Sequence, residues 1–407
     1  MKRNFLFLQG PCTPFFGRLA DHLQTAGHRV FRINFCAGDA FYWGGRSAVS
    51  FKNDLSALKD FLSGKYQQLD ITDQILFGDQ RPVHQPAVSL GKSFGVRTHV
   101  FEEGYFRPHW VTLEREGTNA NSLLPRDPEW FRAASKKLHP TSDVLPFKSP
   151  FRNRATHDVA YHVAGLLNPI FFAGYRTHSP VIAPLEYAAY LRRFTLLKLI
   201  REREHRRVQA LIESNTAYFV LPLQLNGDAQ VRDHSNFADM HEVIEHVLHS
   251  FAQHAPTDSK IAIKNHPLDM GLMNYHKIIS DCEKRFGIEG RTVYLEDGDL
   301  VSLVRNSRGL VTVNSTVGLV ALEEGCPTIT LSNPIYNLPG LTCQLPLNEF
   351  WHSTEPPDAT LYAGFRQAVM AATQINGGFY CGAGIDLAVK NSGRVLLGQQ
   401  SMPDQLL

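Results

Sequence analysis

Residues 4–34, NFLFLQGPCTPFFGRLADHLQTAGHRVFRIN, determine how the chain begins to fold. The apolar run Asn4–Leu8 predicts a buried strand, and the periodic apolar positions between Phe15 and Leu23 predict a helix that ends at Gly27. Residues 30–34 predict a second strand. Strand, helix and strand in about thirty residues form a βαβ unit with a right-handed crossover. The chain therefore starts as an α/β fold on a parallel sheet.

The same alternation of strands and helices continues and then begins a second time. The first series predicts a helix at 54–62, a strand at 75–78, a helix at 86–94 and a strand at 97–101. The second series predicts strands at 217–223, 260–264, 293–295, 309–313 and 328–331, separated by helices. Between the two series, residues 107–180 favour helices with loops, and residues 187–212 predict one long helix.

Length and pattern together predict four segments. A chain of 407 residues is long enough for two domains. We expect a Rossmann-like domain with a helical insertion over 1–185, a linking helix over 186–215 and a second Rossmann-like domain over 216–375. The remaining segment, 376–407, is expected to cross back to the first domain.

Composition excludes several classes of protein. A hydrophobic content of 43% and a charged content of 20% are typical of a globular protein. The net charge of +2 gives no field that favours nucleic acid, so no nucleic-acid partner is expected. The six cysteines form no CxxC pair, which favours a reducing compartment and predicts no zinc site. Because no apolar run reaches about eighteen residues, no transmembrane helix is expected and a cytoplasmic location is predicted.

Polar residues that follow the strands of the second series are the main candidates for a binding site. In open α/β sheets, ligands bind beyond the carboxyl ends of the strands. Lys264, Asn265, His266 and Pro267 end one strand, and Asn314, Ser315, Thr316 and Gly318 follow another. Hydroxyls and backbone N–H groups at a helix start can bind a phosphate, and a lysine and a histidine can neutralise its charge. The alternatives are ordinary helix capping at Asn314 or Ser315 and a structural role for His266.

Weaker candidates lie nearby in the second series. Glu323 and Glu324 could accept hydrogen bonds from ribose hydroxyls, or could be a solvated helix end before Gly325. Gln224 follows the first strand of the series, and Asp233 and His234 come shortly after it.

The first series also ends its strands with polar residues. Gly10, Pro11 and Thr13 follow the first strand, while Glu102, Glu103, Gly104, Tyr105 and Arg107 follow the strand at 97–101. An acid there could act as a base, a nucleophile or an orienting group, or could simply lie in a solvated turn. Neighbouring side chains of a strand point to opposite faces, so only one of the two glutamates is expected to meet a substrate.

These motifs resemble the bacterial capsule polysaccharide biosynthesis proteins of the KpsS/LipB type, which are β-Kdo transferases. The resemblance covers most of the chain and rests on four motifs in order: residues 102–108 (Glu-Glu-Gly-Tyr-x-Arg-Pro), 222–224 (Pro-Leu-Gln), 264–267 (Lys-x-His-Pro) and 314–318 (Asn-Ser-Thr-x-Gly). It implies a GT-B-like α/β fold with two Rossmann-like domains facing across a cleft. It also implies a glycosyltransferase that moves Kdo from CMP-Kdo to a lyso-phosphatidylglycerol and so starts the lipid linker of a capsule polysaccharide.

The resemblance also assigns roles and partners. Glu103, or else Glu102, becomes the nucleophile of a retaining transferase, and His266, Pro267, Ser315 and Thr316 hold the CMP phosphate. The other donor-binding positions are Lys264, Asn314, Gly318, Gln224, Glu323 and Glu324. Gly10, Pro11, Thr13, Tyr105 and Arg107 are left for the acceptor or the cleft. A companion Kdo transferase and the capsule export machinery are implied as partners, at the inner face of the cytoplasmic membrane.

No metal or cofactor is expected. The chain has no Asp-x-Asp signature at these motifs, and a single phosphate leaving group can be stabilised by a helix start with Lys264 and His266.

Two other functions remain open from the residues alone. One is a GT-B-like transferase or epimerase that uses a UDP-sugar, and the other is a non-catalytic scaffold for capsule assembly. The helix at 187–207 alternates apolar residues with arginines, which fits an interfacial helix on a membrane; a surface helix packed at the domain boundary fits at least as well.

Overall fold

The computed structural model describes residues 2–138, 144–175, 183–225, 235–353 and 355–398. The chain divides into two compact units, the first formed by Met1–Pro125, Lys137–His178 and Arg366–Leu407, the second by Arg126–Lys136 and Ser179–Phe365. The chain therefore returns to the first unit at Arg366, ten residues before the predicted position. The helix predicted to link the domains is part of the second unit.

The strands and helices are numbered here in chain order. The strands are β1 (Asn4–Phe7), β2 (Arg29–Asn34), β3 (Val49–Ser50), β4 (Asp73–Phe77), β5 (Arg97–Glu103), β6 (Trp110–Arg115), β7 (Tyr218–Pro222), β8 (Lys260–Lys264), β9 (Thr292–Leu295), β10 (Gly309–Thr312), β11 (Thr328–Thr330) and β12 (Gln374–Asn376). The helices are α1 (Phe15–Thr25), α2 (Ala37–Trp43), α3 (Leu58–Leu69), α4 (Gln85–Phe94), α5 (Pro128–Lys137), α6 (Phe151–Gly165), α7 (Asn168–Phe171), α8 (Ala183–Glu213), α9 (Met240–His254), α10 (Tyr275–Phe286), α11 (Leu300–Arg305), α12 (Val317–Glu323), α13 (Leu347–Phe350), α14 (Ala359–Thr373) and α15 (Gly382–Leu396).

The sheet of the first unit has the strand order β3-β2-β1-β4-β5-β6-β12. Strands β1 to β5 are parallel to one another, while β6 is antiparallel to both β5 and β12. Phe5 and Phe7 pack on the face covered by α1 and α15, and Leu6 packs on the opposite face against α3 and α4. Because helices cover both faces, β1 is an uninterrupted apolar run rather than an alternating one.

The sheet of the second unit is entirely parallel, with the order β9-β8-β7-β10-β11. Helices α9 and α10 cover one face through residues such as Val243 and Ile279. Helices α8, α11 and α12 cover the other through Val208, Leu303 and Ala321. The order runs outward from β7 in both directions, as in a Rossmann fold, so the topological switch point lies between β7 and β10. The predictions of an α/β fold and of two Rossmann-like halves, the make-up of the GT-B-like class, are confirmed.

The prediction of mostly helix and loop over residues 107–180 is wrong at β6. Val111 and Leu113 pack into the core on one face, and Glu114 is buried on the other, where it accepts a hydrogen bond of 2.7 Å from the hydroxyl of Tyr105. The strand therefore alternates apolar and polar residues, but both faces are buried. A strand of six residues with a buried polar face lacks the contrast between a core face and a solvent face that makes a period of two easy to recognise.

Helix α8 is a surface helix anchored on the second unit. Its side chains Arg193 and Glu204 are buried, and both hold Glu296 after β9: Arg193 donates to the carboxylate, while Glu204 accepts the backbone N–H at 2.9 Å. Within the described ranges, no helix is long and apolar enough to cross a membrane.

Candidate functional site

The loops at the switch point of the second sheet are joined to each other. The side-chain amide of Gln224, just after β7, donates to the side-chain oxygen of Asn314 at 3.0 Å, and the backbone N–H of Asn314 lies 3.4 Å from the Gln224 side-chain oxygen. Both residues are buried. The two motifs, about ninety residues apart in sequence, therefore form one polar floor where a Rossmann sheet binds its ligand.

Lys264 places a buried amine at the same edge. The residue ends β8, the strand next to β7, and its side chain is only 4% exposed. Burial lowers the pKa of this amine, while the carboxylates of Asp297 and Asp299 partly oppose that shift. Its Nζ donates to the carbonyl of Asn265 at 3.3 Å. A buried amine with a lowered pKa gains most from an incoming anion, because the anion compensates the charge that burial disfavours.

His266 is held in one orientation by the loop itself. Its Nδ1 accepts the N–H of Leu268 at 3.1 Å, and its own backbone N–H donates to the Asn265 side-chain oxygen at 2.8 Å. The Asn265 amide in turn donates to Glu296 at 3.1 Å. Because Nδ1 is an acceptor, the neutral imidazole carries its proton on Nε2, the nitrogen that can donate to a phosphate oxygen.

The Asn314 loop is both capped and packed. The Ser315 hydroxyl accepts the N–H of Val317 at 3.2 Å, so the capping alternative is part of the structure. Tyr336 donates its hydroxyl to the carbonyl of Ser315 at 2.6 Å. A Cβ at Gly318 would lie 2.3 Å from that hydroxyl, so packing against Tyr336 is enough to require the glycine. Thr316 stands at the start of α12 between these residues.

Glu323 and Glu324 do not lie at this edge. They stand at the far end of α12, which runs from the carboxyl end of β10 back toward the amino end of β11. Glu324 forms a two-pronged pair with Arg305, at 2.7 and 3.1 Å, beside the amino end of β10, and Glu323 is exposed. The structure therefore does not support a role for either glutamate in binding ribose. Asp233 and His234 lie outside the described residues.

Glu102 is the more perturbed of the two adjacent acids in the first unit. It lies on β5, which continues through both glutamates instead of ending before them. Burial raises the pKa of Glu102 to about 7; the backbone N–H of Glu103, at 3.2 Å, and Arg81 oppose the rise, and the charge of Glu103 adds to it. A carboxyl group with a pKa near 7 exchanges its proton in the physiological range.

Glu103 points to the opposite face and has ionic partners. The hydroxyl of Tyr380 donates to its Oε1 at 2.8 Å, and a guanidinium nitrogen of Arg154 lies 3.4 Å from the same oxygen. The Arg154 guanidinium also lies over the Tyr380 ring, 4.9 Å from its centre. Glu103 therefore has a hydrogen-bond donor and a cation as partners, whereas the largest influence on Glu102 is burial.

The loop after β1 lies at the switch point of the first sheet. Arg81, which follows β4, donates to the side-chain oxygen of Gln9 at 3.2 Å and lies 3.3 Å from the carbonyl of Gly10. A Cβ at Gly10 would lie 2.6 Å from the Phe16 ring, and Thr13 is buried. Pro11 accepts the N–H of Thr13 at 2.7 Å. The loop is therefore a tight turn, and Arg81 supplies the charged side chain that contacts it.

Tyr105 and Arg107 do not share the surroundings of the two acids. Tyr105 is buried. Its hydroxyl donates to Glu114 and accepts the N–H of Asn119 at 2.7 Å, so Tyr105 is a core residue. Arg107 is exposed and lies 3.4 Å from the carbonyl of Gly104. The prediction that Tyr105 lines a cleft is wrong, since its hydroxyl is used inside the first unit.

The sequence analysis did not identify four side chains that contact candidate site residues: Arg81, Arg154, Tyr336 and Tyr380. Arg81 could have been found, because it follows β4 at a switch point. The others come from distant segments without a strand-end signal. Among the described residues, no group of three or more His, Cys, Asp or Glu side chains could hold a metal ion; a metal-free reaction remains a prediction.

Two Rossmann-like units, each with polar residues beside its switch point, place the protein in the class of doubly wound α/β proteins. The family model described as "Capsule polysaccharide biosynthesis protein" matches residues 72–380, and the chain belongs to this family.

Relatives of known name cover nearly the whole chain. The chain is 33% identical over 379 residues to the capsule polysaccharide export protein KpsS of Escherichia coli, covering 93% of this chain and 97% of that protein. It is 36% identical over 387 residues to the capsule polysaccharide modification protein LipB of Neisseria meningitidis serogroup B, covering 93% and 91%. Among solved structures, the β-Kdo 2,7 transferase of Thermosulfurimonas dismutans KpsC aligns with a TM-score of 0.48 and 13% identity, over 98% of this chain and 100% of that chain.

Proposed function

We propose that this protein is a retaining glycosyltransferase that transfers Kdo from CMP-Kdo to a lyso-phosphatidylglycerol at the inner face of the cytoplasmic membrane. The product is the lipid on which a capsule polysaccharide linker is built. A companion Kdo transferase extends it, and the capsule export machinery then moves it. Membership of the capsule family supports the pathway, and the motif resemblance described above supports the sugar and the acceptor.

The observation that carries the proposal is the buried amine of Lys264 beside the joined loops of Gln224 and Asn314. A nucleotide monophosphate brings one phosphate to this edge. Lys264 neutralises part of its charge, His266 donates from Nε2, and Ser315 and Thr316 add hydroxyls. These groups can stabilise a CMP leaving group with no bridging cation.

Glu103 is the nucleophile in this proposal. Its carboxylate attacks the anomeric carbon of Kdo, the bond from that carbon to the phosphate oxygen breaks, and CMP leaves with the electron pair. The acceptor hydroxyl then displaces the carboxylate, and its proton passes to the departed phosphate, whose second pKa is about 6. Two displacements at one carbon retain its configuration.

The test is incubation of the purified protein with CMP-Kdo and a lyso-phosphatidylglycerol, followed by mass spectrometry of the lipid. We expect a mass gain of one Kdo with wild type and none with Glu103→Gln. Turnover of a UDP-sugar without turnover of CMP-Kdo would contradict the proposal that CMP-Kdo is the donor. Binding of a donor without any turnover would favour the alternative function, a non-catalytic scaffold for capsule assembly.

A further inference from the structure

Helices α6 and α7, which belong to the first unit, expose apolar side chains on their outer surface. Leu166 and Ile170 are each 73% exposed, Val163 is 59% exposed and Phe171 is 52% exposed. Val159 and Leu167 are also largely exposed. Single exposed apolar residues are ordinary, but this many within one short segment mark an interaction surface.

The exposed positions form a stripe. Val159 and Val163 are four residues apart, Leu166 follows at three, and Leu167, Ile170 and Phe171 continue the spacing of three and four. The stripe thus continues from α6 across the turn into α7.

The stripe itself carries no charged residue, and the charged residues within 144–158 are mostly basic. Residues 159–175 contain no Asp, Glu, Lys or Arg. Lys148 and Arg152 lie just before them and are exposed, and Asp158 is the only acid in residues 144–175. An uncharged apolar stripe with a basic flank is complementary to an anionic lipid surface.

The inner face of α6 is polar and holds the helix in place. The Tyr161 hydroxyl lies 2.9 Å from the Cys36 sulfur and donates to Asp39 at 3.3 Å. His157 lies 2.9 Å from the Tyr42 hydroxyl, through its Nδ1. Polar groups inside and apolar groups outside reverse the usual arrangement of a surface helix in water.

The same helix reaches the candidate site. Arg154 lies on α6, three residues before His157, and is 3.4 Å from the carboxylate of Glu103. A lipid surface on the outer face of α6 would therefore lie one helix diameter from an acid of the site, about 10 Å.

We infer that the apolar stripe of α6 and α7 inserts into the head-group region of an anionic phospholipid bilayer. This inference rests on the proposed function, because a membrane lipid is the acceptor there. It assigns the membrane contact to residues 159–171 instead of the long helix α8. On α8, the exposed Leu191 and Leu199 stand among Arg192, Lys198 and Arg201, so that helix has no uncharged stripe.

The experiment measures binding to vesicles and compares two matched pairs of substitutions. The pairs are Leu166→Gln with Ile170→Gln on the stripe, and Leu191→Gln with Leu199→Gln on α8, where the side chains are equally exposed. Vesicles of phosphatidylcholine with phosphatidylglycerol are compared with phosphatidylcholine alone in a flotation assay. We expect wild type to bind the anionic vesicles preferentially, the stripe pair to bind at least tenfold less, and the α8 pair to bind as wild type does.

No donor or acceptor is needed for this assay, so its outcome is independent of the proposed reaction. If both pairs bind as wild type does, or if only the α8 pair loses binding, the inference is wrong. Sedimentation equilibrium tests the competing occupant, a second copy of the chain. The inference would also be wrong if the wild type is a dimer and the stripe pair is a monomer that binds vesicles as the wild type does. Transfer to a short-chain acceptor in solution should remain in the stripe pair, which would separate loss of docking from loss of chemistry.

Discussion

At the residue scale, two neighbouring glutamates of β5 have opposite surroundings. Glu102 is desolvated, which raises its pKa to about 7, whereas Glu103 contacts the Tyr380 hydroxyl and lies near Arg154. The alternation of a strand is sufficient to separate them, because successive side chains point to opposite faces. The two acids should therefore differ in their catalytic importance.

The first prediction concerns stability and pH at Glu102. The pKa of Glu102 is about 7 in the folded state and the ordinary 4.5 in the unfolded state. Between these two pH values the folded state binds more protons than the unfolded state. The free energy of unfolding therefore falls as the pH rises through this range. Glu102→Gln imitates the protonated form. We expect its free energy of unfolding to exceed that of wild type by up to about 3 kcal/mol at pH 8, and by little at pH 5. Urea unfolding at both pH values measures this, with the exposed Glu289→Gln as control; an equal difference at both pH values would contradict the assignment.

The second prediction concerns catalysis by Glu103. Removing a nucleophile costs on the order of 10³-fold or more in kcat, so Glu103→Gln should lose that much transfer activity while Glu102→Gln retains most of it. Tyr380→Phe removes one hydrogen bond to a charged group, worth about 1.5 kcal/mol or more, and should cost about tenfold. Steady-state kinetics with CMP-Kdo measures all three. A larger loss in Glu102→Gln than in Glu103→Gln would exchange their roles.

At the element scale, the start of α12 is shaped by packing against Tyr336 as well as by its motif. A Cβ at position 318 would lie 2.3 Å from the Tyr336 hydroxyl, and the Tyr336 ring is fully buried. The glycine of the Asn-Ser-Thr-x-Gly motif therefore has a structural reason.

The third prediction uses this contact. Gly318→Ala should destabilise the protein by about 1–3 kcal/mol through overpacking, and should cost less in a Tyr336→Ala background, where the obstacle is absent. Gly64→Ala is the matched control: it lies within α3 with no atom within 4 Å of a built Cβ, so it should stabilise by up to about 1 kcal/mol. Urea unfolding measures each change. An equal cost of Gly318→Ala in both backgrounds would exclude the proposed contact.

Strands and helices with strong periodicity were predictable because their patterns arise from burial on known faces. Strand β8 has the predicted bounds, and β1 and β10 each end one residue before the predicted position. β6 was not predicted as a strand, because Thr112 and Glu114 on its polar face are buried like the apolar residues on the other face. Glu323 and Glu324 were misplaced because their position depends on the direction of α12, which carries them away from the strand ends.

At the scale of the whole molecule, the candidate site residues come from far apart in the sequence. Gln224 and Asn314 meet because the strand order reverses between β7 and β10, and Tyr380 reaches Glu103 because the chain returns to the first unit after Arg366. The first juxtaposition follows from Rossmann topology, although the sequence analysis gave Gln224 and Asn314 only as separate candidates. The second juxtaposition, between Tyr380 and Glu103, depends on where the chain returns to the first unit. No local sequence pattern specifies that contact.

The equilibrium dissociation constant for CMP tests the central claim, that the switch point of the second sheet binds the donor nucleotide. Lys264→Met keeps a buried side chain of similar length but removes the amine, so we expect CMP to bind at least tenfold more weakly, a loss of about 1.4 kcal/mol or more. Glu324→Gln, at the opposite end of α12, should bind CMP as wild type does. Isothermal titration of the three proteins decides the matter: unchanged affinity in Lys264→Met, or an equal loss in Glu324→Gln, would contradict the site.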